Sequence, residues 1–189
     1  MTDEQAGAEA GASGETSVYR IKINAPIETV WSTLVKTDEV LPFFFGAVCR
    51  TKDGLRPGAA MSMQTKDGKY ASVVGKVLEF SPPHRYAHTL KFTQWDDPPV
   101  TVVYELKELA IEGGTEFTLT TIGAIPGSKT AKSMAQGSSY IAKTLKQVAE
   151  KGRASIGTRM MLWVFERMAF MAPKQSRAEN WPEDKILNL

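Results

Sequence analysis

The sequence predicts an α+β fold of the helix-grip kind: a curved antiparallel sheet wrapped on a long C-terminal helix, plus an extra C-terminal helix. Three observations carry this. Short runs of two-residue alternation fill the middle of the chain and are separated only by turn residues. Helical periodicity lies on either side of those runs and not between them. The chain has 189 residues, 42% of them apolar and 23% charged, which is the size and composition of one globular domain with extensions. Strands joined by tight turns have no room for crossover helices, so they pair antiparallel. A long helix across the mouth of such a sheet leaves a cavity between them.

Apart from Met1, residues 1–16 are Ala, Gly, Glu, Ser and other small or polar residues without a large apolar side chain, and they read as a disordered acidic tail. Order is expected from Ser17, where Tyr19, Ile21 and Ile23 alternate with Val18, Arg20 and Lys22 as in a strand. Asn24-Ala25-Pro26 ends that strand, and Pro26 suits the first turn of a helix. Ile27, Val30, Trp31, Leu34 and Val35 then recur at amphipathic spacing. Residues 38–45 read as a second short helical turn, with Pro42 near its start and Gly46 closing it.

From Ala47 to Ile122 the pattern is strands and turns. Lys52-Asp53-Gly54, Arg56-Pro57-Gly58, Lys66-Asp67-Gly68, the Pro82-Pro83 and Pro98-Pro99 pairs and Gly113-Gly114 punctuate it. Between them lie expected strands at 59–65, 69–80, 85–94, 100–109 and 115–122. Helical period returns after Gly127, with Met134, Ile141, Leu145 and Val148 on one face and Gly152 at the end. Residues 156–171 form a further helix, apolar nearly all round from Ile156 to Met171 and stopped by Pro173. Residues 174–189 read as polar and loosely held, with Trp181-Pro182 as an anchor. The expected organisation is a tail at 1–16, a domain at 17–152 and a helical extension at 153–189.

Composition excludes several classes. The longest nearly uncharged apolar stretch, residues 40–49, is far below the roughly 20 residues that span a bilayer. The N-terminus is acidic before Arg20, unlike a secretory signal. One cysteine, Cys49, fits a reducing compartment, and a cytoplasmic location is expected. Net charge is +2, and outside the first seventeen residues all 23 bases face 17 of the 21 acids. That surplus is mild, and Lys129, Lys132, Lys143, Lys146, Lys151 and Arg153 read as a solvated helix face, not a nucleic-acid surface.

Residues that carry chemistry are sparse. His84 and His88 have an i, i+4 spacing that suits metal ligation only on a helix. Here they fall in a turn and a strand, about 13 Å apart along extended backbone, and no metal is expected. No Gly-x-Ser-x-Gly elbow, phosphate-binding Gly-x-x-x-x-Gly-Lys loop or dinucleotide fingerprint occurs, so no cofactor and no catalytic residue is assigned. Cys49 sits in an apolar strand and reads as a small core residue. On the strand at 85–94, Tyr86, His88, Leu90 and Phe92 share the bulkier face and should point inward. His88 is then a core-edge histidine bonded to a neighbour, a polar contact for a ligand, or a base for a substrate held within reach.

The residues resemble a known superfamily. Ile23-Asn24-Ala25-Pro26-Ile27-Glu28-Thr29-Val30-Trp31 is similar to the opening of START-like (SRPBCC) domains, and closest to their Hsp90-ATPase-activator-homologue-like (AHSA1-like) group. Leu55-Arg56-Pro57-Gly58, the run from Gly75 to Pro83 and the run from Gly113 to Thr120 agree in order, so the likeness covers about residues 18–151. It implies the START/Bet v 1-like helix grip. There are departures: Gly137-Ser138 stands where the group commonly has Gly-Trp, Thr121 where it often has His, and Phe43-Phe44-Phe45 where it has a Trp-rich turn. Residues 153–189 have no counterpart in the minimal domain.

Ser138 and Ser139 therefore leave space where relatives place an indole. The candidate ligand-binding residues are Trp31, Phe44, Met61, Met63, His88, Phe92, Tyr104, Phe117, Met134, Ser138 and Ile141. The expectation is non-enzymatic binding of a small apolar or amphipathic ligand, such as a lipid, between sheet and long helix. Alternatives implied by the resemblance are a co-chaperone-type interaction module and a polyketide-cyclase-like enzyme using His88. The helix at 156–171 packs on its own domain, on a second copy or protein partner, or on a membrane surface.

Overall fold

The computed structural model describes residues 14–110 and 113–189. The chain runs β1 (Glu15–Ile23), α1 (Ile27–Leu34), β2 (Val40–Leu41), a 3-10 turn (Pro42–Phe44), β3 (Ala47–Arg50), β4 (Ala60–Gln64), β5 (Ala71–Ser81), β6 (Arg85–Phe92), β7 (Val100–Glu108), β8 (Thr115–Ala124), α2 (Lys129–Lys151), α3 (Ile156–Met168) and α4 (Glu183–Leu187). All eight strands form one antiparallel sheet in the order β1-β8-β7-β6-β5-β4-β3-β2. With α2 held against it, this is the helix-grip fold.

Local chemistry explains the elements. Ile27, Val30, Trp31 and Leu34 are the buried stripe of α1. The Ser128 side chain caps α2 by accepting from the Ala131 amide at 3.0 Å. Gly152 ends it at φ +69°, a left-handed turn that glycine makes without a Cβ clash. Long-range bonds lock α2 over one side of the sheet. Lys146 donates to the Lys22 carbonyl at 2.6 Å, Glu150 accepts from the Asn24 amide at 2.7 Å, and Asp97 accepts from the Thr130 amide at 2.7 Å. The helix packs mainly on β1, β8, α1 and the 3-10 turn.

Three segments differ from expectation. Residues 38–45 are not a helix. Asp38 takes a left-handed φ of +61°, Val40–Leu41 pairs with β3, and only Pro42–Phe44 coil. The expected tail loses its last two residues to β1, since Glu15 and Thr16 pair with Ala124 and Ile122; residues 1–13 lie outside the described residues. Residues 174–189 are tied down. Ile186 is buried against Ala71 and Val74, Tyr70 bridges Arg177, and the Trp181 indole donates to the Gln175 carbonyl at 2.8 Å. A register shift near Met63 and Gln64 turns Ala71 and Val74 outward, and the C-terminal segment covers these two apolar side chains.

Cross-strand rows arrange the inner face. Met63, Val73 and Phe92 form a row at one end. Val77, His88, Val102 and Thr121 form a middle row, and Phe80, Tyr86, Tyr104 and Leu119 another beyond it. Gly75 lies between the first two rows, where a Cβ would meet the Thr89 carbonyl oxygen at 1.8 Å. Both sides of that contact are backbone, so neither yields easily. Gly75→Ala should lower stability by about 3 kcal/mol or more, read as a fall in the urea midpoint; an unchanged midpoint would show that this close approach does not shape the sheet.

Candidate functional site

Between the inner face of β4–β6 and the Met134/Ile141 face of α2 lies a half-open cavity of about 1260 Å³. Its lining includes seven of the candidate residues: Phe44, Met63, His88, Phe92, Tyr104, Met134 and Ile141. The other four do not reach it. Trp31 packs on Phe80 with ring centroids 5.2 Å apart, in the closed end under α1. Phe117 stacks behind Tyr104 at 6.1 Å, and Met61 is buried in the solid core. Ser138 turns its hydroxyl back onto the Met134 carbonyl at 2.7 Å. Space was expected over Ser138 and Ser139; next to them Phe45 brings its ring to Gly137 and stacks on Tyr140 at 4.3 Å.

Phe45 and Tyr140 are wall residues that sequence patterning missed. Phe45 holds a left-handed φ of +55°, which swings its ring onto α2, and the Tyr140 hydroxyl donates to the Pro42 carbonyl at 2.9 Å. Together they fasten the 3-10 turn to α2 at the cavity rim. The available signal was the aromatic triplet Phe43-Phe44-Phe45 before Gly46, in sequence far from Tyr140.

The cavity has a deep end and a mouth. At the deep end stand His88 and Tyr104, their ring centroids 5.8 Å apart, and Tyr86 packs on both from outside the lining at 5.1 and 5.6 Å. Beyond them Phe80 and Trp31 close the space. The mouth lies at the turn carrying Lys66 and Asp67 and is roofed by α3, which lines it with Arg159, Leu162, Trp163 and Glu166. Ser155 caps α3, accepting from the Thr158 amide at 3.1 Å, and Lys66 approaches Glu166 at 3.9 Å. No residue of α3 is buried. Its opposite stripe, Met160, Val164 and Met168, continues to Met171 outside the cavity; Met160 is 66% and Met171 64% exposed.

Burial governs the titratable groups. Loss of solvent lowers His88 to about 4, opposed only by its hydrogen bond to the Thr89 backbone, so the imidazole is neutral near pH 7. Burial pushes the Cys49 thiol up to about 12, with Asp38 adding to the effect, which leaves it an inert core residue. The Tyr104 and Tyr86 phenols are raised by the same loss of water. Among the described residues no group of three or more His, Cys, Asp or Glu side chains is gathered as metal ligands would be. Among them, no helix is long and apolar enough to cross a membrane.

Comparison with known proteins agrees with this architecture. The family model described as Activator of Hsp90 ATPase homolog 1-like protein matches residues 24–150. No curated protein matches the chain. Among solved structures, a protein from Mesorhizobium loti superposes with a TM-score of 0.60 at 17% identity, over 74% of this chain and 99% of that one. The Aha1 dimer from Colwellia psychrerythraea gives 0.58 at 14% identity, over 74% and 99%. CalU16 from Micromonospora echinospora gives 0.56 at 18% identity, over 82% and 86%. At such identities the structural likenesses establish the fold. The family match spans well over half of the chain, all of it within the sheet, α1 and α2 that enclose the cavity, and the protein therefore belongs to the Activator of Hsp90 ATPase homolog 1-like family.

Proposed function

We propose that the protein is a non-enzymatic binding module that holds one small apolar or amphipathic molecule in the cavity between the sheet and α2. The observation that carries this is the cavity itself. Its volume of about 1260 Å³ exceeds the range of about 300–1,000 Å³ usual for small-molecule sites. Met63, Val73, Leu90, Phe92, Met134 and Ile141 give it a mostly hydrocarbon wall, and the methionines among them adapt to varied shapes. A ligand that buries about 200 Å² of hydrocarbon there gains roughly 5 kcal/mol at about 25 cal/mol per Å².

Binding is favoured over catalysis by the state of His88. A base held near 4 is about three units below neutral pH, which is poorly matched to proton abstraction. Among the described residues no carboxylate contributes to raise that value; the Thr89 backbone bond alone opposes the loss of solvent.

The outward stripe of α3 supports a second reading, a protein contact. Met160, Val164, Met168 and Met171 form an exposed apolar ribbon that turns away from the cavity, and such residues are enriched at interfaces. This role concerns a different surface and is compatible with ligand binding.

The first reading predicts that the fluorescent hydrophobe N-phenyl-1-naphthylamine binds with one-to-one stoichiometry and raises the melting temperature; absence of both effects over a broad panel of lipids and aromatics would remove it. The second predicts a concentration-dependent rise in sedimentation coefficient that Met160→Glu abolishes. A chain that sediments as a monomer at every concentration and leaves the ATPase turnover of Hsp90 unchanged would remove the second.

A further inference from the structure

The deep end of the cavity carries a polar atom that the fold leaves without a partner. His88 is 1% exposed, and its Nδ1 lies 2.7 Å from the Thr89 carbonyl oxygen. A carbonyl only accepts, so Nδ1 carries the proton and Nε2 presents a lone pair. Nε2 has no hydrogen-bond partner, and neither do the buried hydroxyls of Tyr86 and Thr121. Of these three groups, His88 is the one that lines the cavity. Tyr86 is two residues from His88 on the same face of β6, and Thr121 stands in the cross-strand row of His88, one strand beyond Val102. A buried polar atom left unpaired costs about 1–3 kcal/mol. The one that belongs to the cavity wall, His88 Nε2, requires an explanation, and an occupant of the cavity supplies it.

Resting on the reading that the cavity holds a ligand, we infer that His88 Nε2 receives the head group of an uncharged amphiphile bearing a hydroxyl, an alcohol or a phenol, which enters head first. The ligand O–H donates to His88 Nε2, the unpaired acceptor in the cavity wall. The hydrocarbon tail then lies along Leu90, Phe92 and Met63 toward the mouth. A carboxylate has no proton to give Nε2. It would also sit far from the cations that line the cavity, Lys66, Arg153 and Arg159, which belong to exposed segments at the mouth. An ether fills the same space but leaves Nε2 unpaired, and a site built for a donor rejects such an analogue strongly.

The test compares three ligands of one shape by calorimetry at neutral pH: 4-octylphenol, its methyl ether 4-octylanisole, and 4-octylbenzoate. The phenol should bind the wild-type chain at least about tenfold more tightly than either of the others. In His88→Leu the phenol should fall to within about twofold of the ether. The 15N resonance of His88 Nε2 in the wild-type protein should shift with the phenol and stay fixed with the ether, a readout that does not depend on the variant folding. Equal binding of phenol and ether overturns the head-group assignment and leaves the cavity reading standing. Tightest binding of the benzoate also overturns it, in favour of an anion held at the mouth. Failure of all three to bind removes the cavity reading, and this inference with it.

Discussion

One helix cannot cover eight strands. Strands spaced about 4.8 Å apart make a sheet roughly 34 Å wide before it curls, and a helix with its side chains is about 10 Å across. Where α2 lies is therefore decisive. Its bonds to Lys22, Asn24 and Asp97 hold it over the β1–β8 side. The inner face of β4–β6 is left to be covered by whatever else the chain provides. At one end α1 and its Trp31 do this well, and the rings of Trp31, Phe80, Tyr86 and Tyr104 pack on one another in series there. At the other end the cover comes from the 3-10 turn, α3 and the stretch after it that carries Ala172, Pro173 and Ser176, and α3 has no buried residue. The cavity is the part of the concave face that neither end fills.

This division explains why residues of similar chemistry have different roles. Met61 and Met63 share one strand face, yet Met61 belongs to the solid core and Met63 to the cavity wall. Tyr104 joins the two regions. One side of its ring packs on Phe117, and the other meets Phe44, His88 and the cavity. The neutral state of His88 also follows, since the site around it was emptied of water without gaining a charged partner.

Much of the fold was legible because it depends on local patterns. Pro26 followed by the spacing of Ile27, Val30, Trp31 and Leu34 describes α1 to within a residue. Alternation along Tyr86, His88, Leu90 and Phe92 identified the inner face of β6 correctly. The face of a strand is written in its alternation, but depth along the strand is not. Trp31 and Phe117 were thus expected at the cavity and lie in the closed end instead. The paired burial of Ala71 and Val74 on the outer face depends on a register shift and on a segment a hundred residues later in the chain, neither of which a local period reveals. For α3, an apolar surface on several sides indicated that it needed covering. It did not reveal that one stripe would face the hollow and the other would face outward.

The account depends on the hollow accepting a guest while the core around it stays closed. The methionine methyl groups report on both at once. In a 13C-methyl NMR titration of the protein with N-phenyl-1-naphthylamine, Met63 and Met134, which line the cavity, should shift and saturate together. Met61, buried two residues away from Met63, should stay nearly still. Shifts confined to Met160, Met168 and Met171, with Met63 and Met134 unmoved at saturation, would place the hydrophobe on the outside of α3 and contradict the account.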